Sequence, residues 1–263
     1  MQYYPLHRYF IDSGSVKPNI EFESTDQVGA VYEVIRIMKG IPLFLSEHMD
    51  RFFHSAAIAG RKISFNREEI NGFIYKLTEK NGVLNGNILL SCSDKLRIFF
   101  IPHRYPDEQL YLKGIECGVL QGERDNPNVK VFQTPVRQLA DEMISHKGVY
   151  EVLLVDRLGR ITEGSRSNIF FVKSDLLYTP PGYEVLKGVT RNKTIHLANE
   201  NNIHVIEQDL LLNDLAIFDA VFITSTSSKI LPVSKIEGLT FNPKNKIVQL
   251  LRRVYDDLIN QQL

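Results

Sequence analysis

Apolar positions along this chain fall into short runs of period two and a few longer stretches of helical spacing. VYEVIRIM, Val31 to Met38, is β-branched and aromatic, which predicts a strand. Alternation along it puts Tyr32, Val34 and Arg36 on one face and Val31, Glu33, Ile35 and Ile37 on the other, with Lys39-Gly40 as the turn. Upstream, apolar pieces broken by DSGS and KPN read as strands joined by turns. SEHMDRFFHSAAIAG predicts a helix with Ser46 as N-cap, an acid in its first turn and Gly60 as its stop. A second helix is expected over residues 66–79, ended by Asn81-Gly82. NILLSCS and LRIFFIP form an antiparallel hairpin hinged at Asp94-Lys95.

PHRYPDEQ interrupts this texture and divides the chain into regions 1–107 and 108–263. Beyond it, strands are expected at 115–120, 150–155, 168–172, 176–178, 203–206 and 220–224. Helices are expected at 136–146, from Gly188-Val189-Thr190 through Asn199, and over 243–260, the last amphipathic. ITEGSRSNIFFV sets Glu163 in a small polar turn between two apolar segments. No repeat or low-complexity tract appears, and the pattern implies an α+β architecture with many antiparallel strands.

Composition narrows the class of function. With 43% hydrophobic residues in 263 the chain can bury a substantial core. Lysine plus arginine equals aspartate plus glutamate, so no long-range field marks nucleic acid or an anionic membrane as the partner. Two cysteines, Cys92 and Cys117, without a CxxC or Cys/His cluster argue against a disulfide framework or structural zinc, and point to reducing cytoplasm. Neither an export signal nor a membrane span is indicated.

Three stretches resemble anion cradles. LKGVTRNKT places a glycine and Thr190 at a helix start, where free N–H groups and the helix dipole favour a phosphate. TSTSSKI packs hydroxyls into the turn after a strand, and Arg51 offers a planar fork. Each alone also reads as plain capping, a solvated loop or a surface charge. Lys130 alternates with Val129 and Val131 in a strand-like segment; partial desolvation there would free its amine for Schiff-base chemistry, while an edge-strand lysine would only discourage sheet pairing.

Taken in order and spacing, VYEVIRI, SEHMDR, VK followed by YEVLLVD, ITEGSRSNIFFV, LKGVTR and TSTSSKILPV resemble the fold-type IV pyridoxal-phosphate enzymes. That family comprises D-amino-acid and branched-chain aminotransferases and 4-amino-4-deoxychorismate lyases. The resemblance implies two lobes, a small N-terminal α/β lobe and a larger C-terminal lobe with a mostly antiparallel strand core that carries the cofactor lysine. It further implies a homodimer and pyridoxal 5'-phosphate as cofactor. By the same resemblance Lys130 holds that cofactor covalently and moves the Cα proton, and Glu163 faces the pyridine nitrogen. Arg51, Val189, Thr190, Ser225 and Thr226 surround the phosphate, and Tyr32, Val34, Arg36 and Ser227 line the substrate side.

Departures from the family pattern bear on the substrate. The arginine and histidine loop that traps a substrate carboxylate in D-amino-acid aminotransferases is missing between NILLSCS and LRIFFIP, leaving Arg36, His103, Arg104 or a partner subunit to replace it. STDQVGA replaces the usual aromatic-glycine-aspartate-glycine run, Gln133 an asparagine, Pro135 a tyrosine, and Arg166 a small residue. The expected activity is amino transfer between an amino acid and a 2-oxo acid. The alternatives are the lyase, which eliminates pyruvate with the same lysine, and an inactive phosphate-compound binder.

Overall fold

The computed structural model describes residues 3–24, 29–132 and 135–263. Two compact units result: the first is Met1–Arg104 with Val129–Thr134 and Gln261–Leu263, the second Tyr105–Asn128 with Pro135–Asn260.

In the first unit, β1 (Tyr9–Asp12), β2 (Ser15–Pro18), β3 (Val31–Met38), β4 (Ile41–Pro42), β5 (Gly86–Cys92) and β6 (Leu96–Ile101) form an antiparallel sheet ordered β2-β1-β6-β5-β3-β4. β3 follows the alternation of its sequence, with Val31, Glu33, Ile35 and Ile37 buried and Tyr32, Val34 and Arg36 half-buried. Its buried face packs Val31, Ile35 and Ile37 against Met49 and Phe52 of α1 (Leu45–Ile58) and Ile70, Ile74 and Leu77 of α2 (Arg67–Asn81). On the opposite face Tyr32 and Val34 pack on Phe10, Leu89, Phe99 and Phe132.

Helix ends explain one difference from expectation. α2 starts at a reciprocal capping box between Asn66 and Glu69 and stops at Gly82, whose φ of 64° suits glycine. α1 is not capped by Ser46. The chain leaves β4 through a left-handed residue, Phe44 (φ 52°), so the helix begins before Ser46, and the Phe44 N–H is satisfied by Oε1 of Gln262 at 3.1 Å.

The second unit contains α3 (Glu108–Lys113), β7 (Ile115–Gln121), α4 (Pro135–Lys147), β8 (Glu151–Val155), β9 (Ile161–Gly164), β10 (Asn168–Lys173) and β11 (Leu176–Thr179). Then follow α5 (Val189–Glu200), β12 (Val205–Glu207), β13 (Ala220–Ser225), β14 (Lys229–Ile236), β15 (Leu239–Thr240) and α6 (Lys246–Asn260). Its sheet runs β12-β11-β10-β13-β14-β7-β8-β9, with β15 on β14. Most pairings are antiparallel; β11 with β12, β14 with β7 and β7 with β8 are parallel. Ile169, Phe171, Val221, Ile223, Leu231 and Val233 form one core face. α6 turns Ile247, Val248, Leu251, Tyr255 and Ile259 inward at helical spacing.

Two placements correct the sequence reading. Glu163 belongs to β9, and the turn is made by the residues that follow it. Lys130, expected in region 108–263 and in a strand, groups with the first unit and lies in no strand. Backbone bonds explain this: the N–H of Tyr32 donates to the Lys130 carbonyl at 3.0 Å, that of Phe132 to Ala30 at 3.0 Å, and Val131 bridges Val31.

Candidate active site

Within the first unit β3 and α1 gather the functional candidates. Lys130 Nζ stands 4.6 Å from the centroid of the Tyr32 ring, which stacks on Phe132 at 3.9 Å. The N–H of Lys130 donates to Ser55 Oγ on α1 at 3.2 Å. Arg51 lies one turn before Ser55 and directs Nε and Nη2 at Glu33, each at 2.7 Å. His48 Nδ1 lies 2.8 Å from the same carboxylate. An ionised carboxylate only accepts, so Nδ1 carries the proton.

The electrostatics follow from burial. Desolvation pushes the Glu33 carboxyl up, but the charge and hydrogen bonds of Arg51, with those of His48, outweigh it and bring it down to about 2. His48 is pushed below its ordinary value by burial, against the pull of Glu33. Sequence reasoning names Arg51 as a candidate but neither of these two partners. The signal is an acid on the apolar face of β3, which no packed interior tolerates without a cation.

In the second unit Glu163 is 4% exposed, with Oε1 accepting from Arg124 Nη1 at 2.9 Å and Oε2 from the Leu186 N–H at 3.2 Å. The turn after it is tied down by Glu151, which accepts from Ser165 Oγ at 2.7 Å, Ser167 Oγ at 2.8 Å and the Arg166 N–H at 3.2 Å. The Arg166 guanidinium pairs with Asp141 on α4. The Leu186 carbonyl also accepts from Asn168 Nδ2 of β10 at 2.8 Å, so Leu186, just ahead of α5, is tied to both β9 and β10.

α5 begins at Gly188 with no side-chain cap, so its first N–H groups, at Val189 and Thr190, have no intrahelical acceptor. A Cβ at Gly188 would lie 2.1 Å from Asn168 Oδ1; only glycine permits this approach. Thr190 is buried, and its Oγ1 accepts from Tyr255 OH at 3.3 Å. Between β13 and β14, Ser225, Thr226 and Ser227 are half-buried, with Ser225 Oγ 2.6 Å from Ser228 Oγ. Thr224 pairs in register with Asn168, and its buried Oγ1 has no hydrogen-bond partner among the described residues.

Each of these groups, taken by itself, fits one part of a phosphorylated pyridine aldehyde. An uncapped helix start and an orphaned buried hydroxyl suit a phosphate, a buried anion suits a ring nitrogen, and a lysine suits an aldehyde. The family described as Amino-transferase class IV matches residues 30–236. The chain belongs to the class IV aminotransferases. It is accordingly a pyridoxal-phosphate-dependent enzyme that transfers an amino group between an amino acid and a 2-oxo acid.

A Methanocaldococcus jannaschii relative of this aminotransferase is 30% identical, over 96% of this chain and 95% of its own. The D-alanine aminotransferase of Bacillus licheniformis is 30% identical over 80% of each chain. Among solved structures, the branched-chain amino acid aminotransferase of Thermobaculum terrenum in its PLP-bound holo-form superposes with a TM-score of 0.87 at 21% identity, covering 98% of this chain and 95% of that one. That likeness establishes the shared fold. The comparisons give the lyase alternative no support.

Several expectations concern loops of this aminotransferase. The β5 to β6 connection spans only Ser93 to Lys95, too short for the arginine and histidine trap. Gln133 and residues 25–28 of STDQVGA lie outside the described residues. Pro135 opens α4, where its missing N–H costs nothing. Among the described residues no helix is long and apolar enough to cross a membrane.

Proposed function

We propose that Lys130 is the residue that binds the cofactor covalently and, once released, carries the proton to and from the substrate Cα. When bound, pyridoxal phosphate supplies the electron sink that lets that Cα–H bond ionise. Glu163 presents a fixed anion to the ring nitrogen and favours its protonated form. Arg51, the Val189 N–H, Thr190, Ser225 and Thr226 take the phosphate. Tyr32, Val34, Arg36 and Ser227 form the substrate side.

The observation that carries this reading is the buried Glu163 carboxylate, held from both oxygens by Arg124 and the Leu186 N–H. A carboxylate fixed in this way contributes charge at one orientation and needs no reorganisation during reaction. A cytoplasmic homodimer completes the proposal; two buried, unpaired cysteines are in keeping with a reducing compartment.

The test is a half-reaction screen. Cofactor-loaded protein mixed with single L- and D-amino acids is expected to lose its visible aldehyde-form band to the pyridoxamine form with at least one of them. A protein that binds the cofactor and converts with none contradicts the proposal.

A further inference from the structure

The side chain of Lys130 accounts for its chemistry, but residues 129–132 form no helix or extended strand that would fix its main chain. Specific bonds take over that task. Ser55, wholly buried on α1, accepts the Lys130 N–H at 3.2 Å, and the Lys130 carbonyl accepts the N–H of Tyr32 on β3 at 3.0 Å. Both polar groups of one peptide residue are thereby spoken for, one by the helix and one by the strand.

The same two elements hold Arg51. Arg51 and Ser55 are four residues apart on α1 and so share a face, and Glu33, the partner of Arg51, is the neighbour of Tyr32 on β3. α1 therefore presents a guanidinium fork and, one turn later, a hydroxyl that receives the lysine backbone.

We infer that Ser55 is a positioning residue for Lys130, its hydroxyl oxygen setting the lysine main chain at a fixed offset from Arg51. The inference rests on the reading of Lys130 and Arg51 proposed above. In covalent capture Lys130 Nζ adds to the cofactor's aldehyde carbon, a C=N bond forms, and the aldehyde oxygen leaves as water with the two amine protons. Misplacing the Lys130 backbone penalises that step. Pyridoxamine phosphate has no carbonyl, so its binding draws on the phosphate ligands and Glu163 and not on bond formation by Lys130.

This contrast provides the test. Ser55→Ala removes the acceptor that the part-buried Lys130 N–H uses on α1, which is expected to weaken capture of pyridoxal phosphate, read from its visible band, by about fivefold to tenfold. The dissociation constant for pyridoxamine phosphate, read by equilibrium dialysis, is expected to stay within about twofold, since the loss of a single neutral hydrogen bond falls on Lys130 alone. Equal losses for both ligands would make Ser55 a merely structural residue and overturn the inference, as would unchanged capture. Two control variants separate this from failure of the underlying reading. Lys130→Ala must abolish capture and Arg51→Gln must weaken both ligands; if either behaves like the parent, the assignment of that residue falls, and the role of Ser55 with it.

Discussion

Glu33 and Arg51 meet in a two-pronged ion pair, with Nε and Nη2 of the arginine each 2.7 Å from a different carboxylate oxygen. The acid is fully buried and the arginine side chain 10% exposed, so neither charge has bulk water to fall back on. Removing one partner leaves the other uncompensated. Glu33→Gln is therefore expected to destabilise the cofactor-free protein by about 3–5 kcal/mol in chemical denaturation. A loss below about 1 kcal/mol, the range of an exposed pair, would show that the interior tolerates a lone guanidinium there.

The same cluster sets a response to acid. The Glu33 carboxyl titrates at about 2 in the folded chain against 4.5 ordinarily, so its contribution is complete above 4.5 and is lost as pH falls toward 2. His48 is lowered from 6.5, so the folded chain resists its protonation, and stability is lost once pH falls below 6.5. Urea denaturation across pH should show two successive losses. His48→Asn keeps a donor for Glu33 but cannot titrate, and is expected to erase the upper loss while leaving the lower one. Two losses persisting in that variant would assign the upper one elsewhere.

Gly188 tests how the start of α5 is built. Its φ of −62° suits any residue, so the demand for glycine comes from Asn168 Oδ1, 2.1 Å from where a Cβ would stand. Gly188→Ala is expected to cost about 1–3 kcal/mol through overpacking, measured by thermal unfolding of the cofactor-free protein. Adding Asn168→Ser should recover much of that loss, because the two changes relieve one contact. Additive losses would show that the contact is not what glycine protects.

How much of this is legible in the sequence varies with the kind of signal. β3 can be read in full because period two marks both of its faces, and α2 because Asn66, Glu69 and Gly82 write out its caps. β14 escapes a sequence reading, since Pro232 interrupts it; the fold accommodates that proline where pairing with β7 has not yet begun, at Val233. Glu163 looks like a turn residue because ITEG is short and polar, and only pairing with β8 makes it a strand. The sequence singles out Lys130 as a candidate but does not show its surroundings. Its contacts to Ser55 and Tyr32 join positions about 75 and 98 apart in the chain, a separation that no local pattern records.

Covalent capture by the amine of Lys130 leaves a chemical mark that can be located in the sequence. Protein loaded with pyridoxal phosphate, reduced with borohydride and digested should carry the phosphopyridoxyl group on the peptide containing Lys130, and Lys130→Ala should carry none. A label on a different lysine, or none at all on a protein that binds the cofactor, would contradict it.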